Sequence, residues 1–191
     1  MDIYLKHYTH INNEPLKSIT QLPEKEALSL AIKHRDESPC DAHSRFGSVS
    51  TFNENFLDYY NARKNVEKVL YERFVELGGR PQIKNPYYFF VNDWGLMHKD
   101  LIQSEIDRGA AHIIEIRLQD IDISDVSFFL GDTMTAGNSN EPNDIFLKDK
   151  LIEEITSHNG FDNYFDSIKS KYLYIEAHLW TDKYRHLYHT V

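Results

Sequence analysis

An α+β domain with a mostly antiparallel central sheet and flanking helices is the fold class this sequence predicts, on three observations. Some segments alternate apolar and polar residues as strands do. Others repeat apolar residues at three-and-four spacing as helices do. The two kinds follow one another without a regular strand-helix-strand rhythm, which disfavours a doubly wound sheet. The 191 residues predict one domain spanning 1–191.

Residues 3–9, Ile-Tyr-Leu-Lys-His-Tyr-Thr, alternate as a first strand, with His7 beside Ile3 and Leu5. Asn12 or Asn13 before Glu14-Pro15 has the form of a cap and first turn of a short helix. Residues 24–35 predict a helix with Ala27, Leu28, Ala31 and Ile32 inward. Asp36 to Ser50 is a long polar loop, a length more often functional than idle. The strongest helix runs over 53–77, capped by Asn53 and stopped by Gly78-Gly79-Arg80-Pro81. Its stripe is Phe56, Tyr59, Val66, Leu70, Phe74 and Leu77; Arg63 falls on it, an arginine expected to snorkel or pair with a carboxylate.

Residues 86–91, Pro-Tyr-Tyr-Phe-Phe-Val, form an aromatic strand, and about 96–107 a helix closed by Gly109. Ala111 to Leu118 is the clearest strand, with Ile114, Ile116 and Leu118 on one face and Glu115 and Arg117 on the other. A strand at 127–130, a helix over 144–158 stopped by Asn159-Gly160 and a short helical piece over 161–169 follow. Residues 172–180 read as a strand whose apolar face is Leu173, Ile175, Ala177 and Leu179. Its other face carries Tyr172, Tyr174, Glu176, His178 and Trp180. The final 184–190 alternates well enough to pair with it as a hairpin partner.

A net charge of −9 argues against a general electrostatic hold on nucleic acid, although a small basic cleft is compatible with it. A single cysteine, Cys40, permits no internal disulfide and fits a reducing compartment; with no apolar run near twenty residues and no leader pattern, the expectation is a cytoplasmic protein without a membrane span. Phosphate-loop, dinucleotide, serine-elbow and His-Glu-x-x-His motifs are absent.

Glu176 is the most informative residue. An ionised carboxylate among rings is neither an ordinary solvated position nor a buried one, because burying it unpaired costs several kcal/mol or shifts its pKa. Either it serves a site, or it belongs to an edge strand whose Glu and His pair across to a neighbour. Ten histidines raise a metal-dependent hydrolase or nuclease as an alternative, but His7 and His10, like His186 and His189, point to opposite faces of regular strands. A non-catalytic interaction protein with a tyrosine-rich binding surface is the other alternative.

His7-Tyr8-Thr9 closing the first strand, Tyr87-Tyr88-Phe89 on an aromatic strand and Glu176 on a late strand together resemble the ADP-ribosyltransferase fold in its His-Tyr-Glu form. The opening His7-Tyr-Thr-His-Ile-Asn-Asn-Glu-Pro-Leu-Lys-Ser-Ile19 resembles bacterial ADP-ribosylating toxins that modify DNA. The resemblance implies NAD as substrate and a macromolecular acceptor, protein or nucleic acid. It implies His7, with Thr9, at the ribose, Tyr87 or Tyr88 stacked on nicotinamide, and Glu176 holding the 2′-hydroxyl and steadying the oxocarbenium-like centre. Arginine-modifying members carry a second acid two positions before the glutamate; here that position is Tyr174, which argues against arginine as acceptor. Arg45, in the polar loop, is the candidate for gripping phosphate or carboxylate on the acceptor.

Overall fold

In the computed structural model, which describes residues 2–10, 16, 18–37, 56–92, 111–134, 144–172 and 174–190, the chain is α+β around one antiparallel sheet. The strands are β1 (Tyr4–His10), β2 (Tyr87–Val91), β3 (Ala111–Arg117), β4 (Val126–Leu130), β5 (Phe146–Leu147), β6 (Ile175–Leu179) and β7 (His189–Thr190). Their order is β5-β4-β6-β2-β1-β3-β7, every pairing antiparallel. Among the described residues the helices are α1 (Glu24–Glu37), α2 (Phe56–Glu76), α3 (Lys148–Ser157) and α4 (Phe161–Ile168), with single 3₁₀ turns between elements.

The sheet separates two layers. On one face Leu5, Phe89, Val91, Ile114, Ile116, Phe128, Ile175, Ala177 and Leu179 join Leu151 and Ile155 of α3 and Tyr164 of α4 in the main core. On the other, Val66, Leu70 and Phe74 of α2 meet Phe129 and Trp180, while α1 packs outside against Phe56 and Tyr60. β6 is therefore covered on both sides, and all five of its residues are buried. Two-residue strands at either end leave little open edge for unwanted pairing.

α2 ends where the glycines predict. The Gly79 N–H reaches the Phe74 carbonyl and the Gly78 N–H that of Val75, a Schellman closure with Gly78 at φ +96°. Gly79 is needed for a second reason: a Cβ there would lie 2.4 Å from the Phe74 ring. That ring instead folds over the glycine and stacks on Trp180, centroids 5.3 Å apart. β2 stops at Asn92, in the left-handed region at φ +57°, which exchanges hydrogen bonds with Tyr4 through its backbone N–H and its side-chain oxygen.

Several expectations need correction. Residues 184–190 are not a hairpin partner of β6, because β4 and β2 already occupy both its edges; Arg185–Leu187 is a 3₁₀ turn, and β7 pairs with β3 at the far end of the sheet. For the same reason Glu176 does not lie on an edge strand. The helix expected from 144 begins at Lys148, since Phe146 and Leu147 pair with β4. Ile32, expected inward, is 42% exposed, and among its described side chains α1 fully buries only the small Ala27 and Ala31. The short helix at 12–15, the helix at 96–107, and Arg45 and Cys40 in the polar loop lie outside the described residues. Among the described residues no helix is long and apolar enough to cross a membrane.

Candidate functional site

Strand register decides which side chains meet. Tyr88 stands opposite His178 and Phe90 opposite Glu176 across β2 and β6; Ser127 and Phe129 stand opposite the same two residues from β4. Side-chain alternation therefore puts Tyr88, Ser127, Glu176 and His178 on the face covered by α2. One turn of α2 presents Arg63 and Glu67 to that face. The Arg63 guanidinium lies 3.7 Å above the centre of the Tyr88 ring, with Nε 3.5 Å from Glu67 Oε1 and Nη2 3.9 Å from Glu176 Oε1. The stripe arginine has thus paired with carboxylates, two of them. In formal charge the trio carries one negative charge in excess.

The two carboxylates are served unequally. Glu67 accepts hydrogen bonds from the Thr20 hydroxyl at 2.8 Å, Asn85 Nδ2 at 2.5 Å and the Tyr88 hydroxyl at 3.0 Å, and its side chain is 0% exposed. Among the described residues Glu176 has only Thr133 at hydrogen-bond distance. The Thr133 N–H reaches Oε2 at 3.0 Å, and its hydroxyl is shared between the two oxygens at 3.1 and 3.2 Å. Oε1 otherwise faces the Arg63 nitrogen at 3.9 Å and His178 Nε2 at 3.5 Å, both longer than a good N–H···O bond. The Glu176 side chain is 7% exposed.

Burial pushes the Glu176 pKa up, but the His178 ring, the Arg63 cation and the Thr133 N–H outweigh it and hold the carboxyl below its ordinary value. Burial also disfavours the Arg63 charge, and there too the neighbours Tyr88, Tyr59, Glu176 and Glu67 win, so Arg63 stays a cation. The Tyr88 hydroxyl is pushed well up, chiefly by burial, and remains a neutral phenol.

His7 and Tyr87 stand on the other face. The register Leu5↔Val91 puts odd-numbered residues of β1 and β2 on the α3–α4 side, so the four described residues of the expected constellation do not share a face. Tyr87 is buried in the main core, its hydroxyl donating to Asp182 at 2.6 Å and accepting from Arg185 at 2.9 Å. His7 lies against Phe89 and donates from Nδ1 to the Tyr88 carbonyl at 2.8 Å, which leaves Nε2 without a partner among the described residues. Burial, the dominant influence, lowers the His7 pKa against the opposing pull of that carbonyl, which favours the neutral ring. The position matters because β1 and β2 pair only at Leu5↔Val91 and Lys6↔Phe90, whereas β1 pairs with β3 from Tyr4 to His10. Beyond Lys6 the two strands part, and the His7 ring supplies the donor that Tyr88 would otherwise take from the backbone.

Thr9 lies on β1, but its side chain, like Arg45, is outside the described residues. Among the described residues no three of His, Cys, Asp or Glu come together as a metal-holding group. Reading the sequence missed Glu67, Ser127 and Thr133. The signal for Glu67 was present: it is four residues after Arg63 and three before Leu70, on the buried stripe. Comparison with protein-family models, with curated proteins and with solved structures returned no match.

Proposed function

We propose that this chain is an ADP-ribosyltransferase-like enzyme that cleaves the nicotinamide–ribose bond of NAD and transfers ADP-ribose to a protein or nucleic-acid acceptor, with Glu176 as its catalytic carboxylate. The observation that carries this reading is the unequal service of the two buried acids: among the described residues Glu67 takes donors from three separate segments, whereas Glu176 takes only those of Thr133, and its Oε1 only a share of the hydroxyl. A ribose hydroxyl donating to Oε1 would complete its shell. The same carboxylate then faces the positive charge that develops at the anomeric carbon as the carbon–nitrogen bond breaks and its electron pair leaves with nicotinamide. The acceptor's nucleophilic atom forms the new bond to that carbon and loses its proton. The excess negative charge of the trio with Arg63 also favours the cationic nicotinamide ring of NAD.

Tyr88 is taken as the stacking ring because it shares the face of Glu176; Arg63 covers one side of it, so stacking uses the other side or displaces the guanidinium. His7, with a neutral ring and an Nε2 that has no partner among the described residues where β1 and β2 part, is the proposed ribose contact. Arg45 keeps its proposed role toward the acceptor.

NAD should raise the melting temperature, since a ligand at a hundred times its Kd adds about 2.7 kcal/mol to the folded state. It should also be consumed with release of nicotinamide. Glu176→Gln should keep the thermal shift and slow release by roughly 10²–10³-fold, the usual cost of losing one preorganised electrostatic contact. No thermal shift and no nicotinamide release from the wild type would end this reading.

A further inference from the structure

An indole nitrogen can only donate, and Trp180 Nε1 donates to Ser127 Oγ at 2.9 Å with both residues fully buried. That bond uses one of the serine's two lone pairs, and among the described residues the single acceptor within reach of its hydrogen is His178 Nδ1, at 3.3 Å. A ring nitrogen that accepts carries no proton. The His178 proton is therefore on Nε2, which is fully buried, has no hydrogen-bond partner among the described residues, and faces Glu176 Oε1 at 3.5 Å. A buried donor held just short of an under-served acceptor requires an explanation.

We propose that Trp180, Ser127 and His178 form a chain that fixes the His178 tautomer, and that His178 is a positioning residue whose Nε2–H orients Glu176 Oε1. The opposite tautomer would turn a lone pair on the carboxylate and repel it. The purpose of the chain rests on the function proposed above; its geometry does not. Among the described residues the other titratable or charged groups acting on Glu176 are Arg63 and Tyr59 of α2, Tyr88 of β2 and Tyr174 before β6, with Glu67 and Asp132 acting in turn on these. The variants below leave all of these in place.

The test is NMR of ¹⁵N- and ¹³C-labelled protein, reading the His178 ring nitrogens and the titration of the Glu176 carboxyl, beside the pH profile of NAD cleavage. The wild type should show the Nε2–H tautomer, and Ser127→Ala should lose that preference. His178→Gln, whose amide nitrogen stands near the Nε2 position, should keep both the Glu176 midpoint and the acid limb of kcat/KM. His178→Asn, which reaches only the Nδ1 position, should move both upward by about one pH unit. A wild-type Nδ1–H tautomer, or Gln and Asn behaving alike, would overturn the proposal; if Asn does not fold, the tautomers of the wild type and Ser127→Ala decide. Absent NAD cleavage with the Glu176 titrations still separated would remove the NAD reading and leave the positioning chain standing.

Discussion

The buried charge cluster under α2 has two ends, and they are built differently. At the Glu67 end the acid is on the helix, and it ties α2 to Thr20, Asn85 and Tyr88, three distant parts of the chain, at hydrogen-bond distance. At the Glu176 end the acid is on the central strand and, among the described residues, is held by Thr133 alone at such distances, with Arg63 and His178 standing back. Arg63 belongs to both. A carboxylate tied to three separate segments is an anchor, because anything that disturbs it strands several buried donors. One held by a single residue, with acceptor capacity to spare, can take a ligand without breaking the fold. The difference teaches that two acids buried alike can be held very differently, and that the donors reaching each one, not burial, tell them apart.

The largest test of this contrast is Glu67→Ala. It strands the Thr20, Asn85 and Tyr88 donors and leaves Arg63 with one partner, so urea unfolding should show a loss of about 3–5 kcal/mol, the range for breaking a buried ion pair. A loss below about 1 kcal/mol would erase the distinction between the two ends.

Next is Gly79→Ala, which reaches the Glu176 end from outside. The new methyl meets the Phe74 ring, which must leave its stack on Trp180, and the expected cost is about 1–3 kcal/mol with a change in tryptophan fluorescence. Unchanged fluorescence would detach the end of α2 from the His178 chain.

Glu176→Gln should cost only about 1 kcal/mol at neutral pH, because the amide oxygen still accepts from Thr133. The sign of its pH dependence is fixed. A carboxyl held below its ordinary value of 4.5 contributes stability that is fully present above that value and is lost as pH falls through the lowered one. The gap between wild type and Glu176→Gln should therefore close in acid, as followed by thermal melts across pH.

The smallest effect is at His7. Its pKa is lowered from the ordinary 6.5, so below that pH the unfolded chain takes up a proton that the folded chain resists, and stability falls. His7→Asn keeps a donor for the Tyr88 carbonyl and should flatten that part of the slope between neutral pH and the start of acid unfolding. An unaltered slope would show that the parting of β1 and β2 does not depend on a neutral ring.

Much of this was legible in the sequence, for reasons that particular residues show. The stop of α2 at Gly78-Gly79, the stripe through Phe56, Val66, Leu70 and Phe74, and the apolar face of Ile175, Ala177 and Leu179 are periodicities within one element, and each is borne out. Arg63 pairing with a carboxylate was legible for the same reason. What lay beyond reach was the relation between strands. Alternation says that Tyr87 and Tyr88 face opposite ways, but only the register Tyr88↔His178 says which of them meets Glu176, and only Leu5↔Val91 sends His7 to the other side. Register arises from long-range pairing, which leaves no trace in local spacing. The burial of Glu176, His178 and Trp180 also required knowing that α2 lies over them.

The strand order carries a consequence for how the molecule comes together. β6, near the end of the chain, is the strand that joins β5-β4 to β2-β1-β3. Until Ile175–Leu179 has been inserted, the sheet exists as two separate halves, each with one long unpaired edge, at β4 and at β2. Closing the sheet depends on contacts between residues far apart in sequence, the kind that forms late and slowly. A chain stopped short of Ile175 would keep both edges open to other chains, so premature termination there should yield aggregation rather than a smaller folded domain.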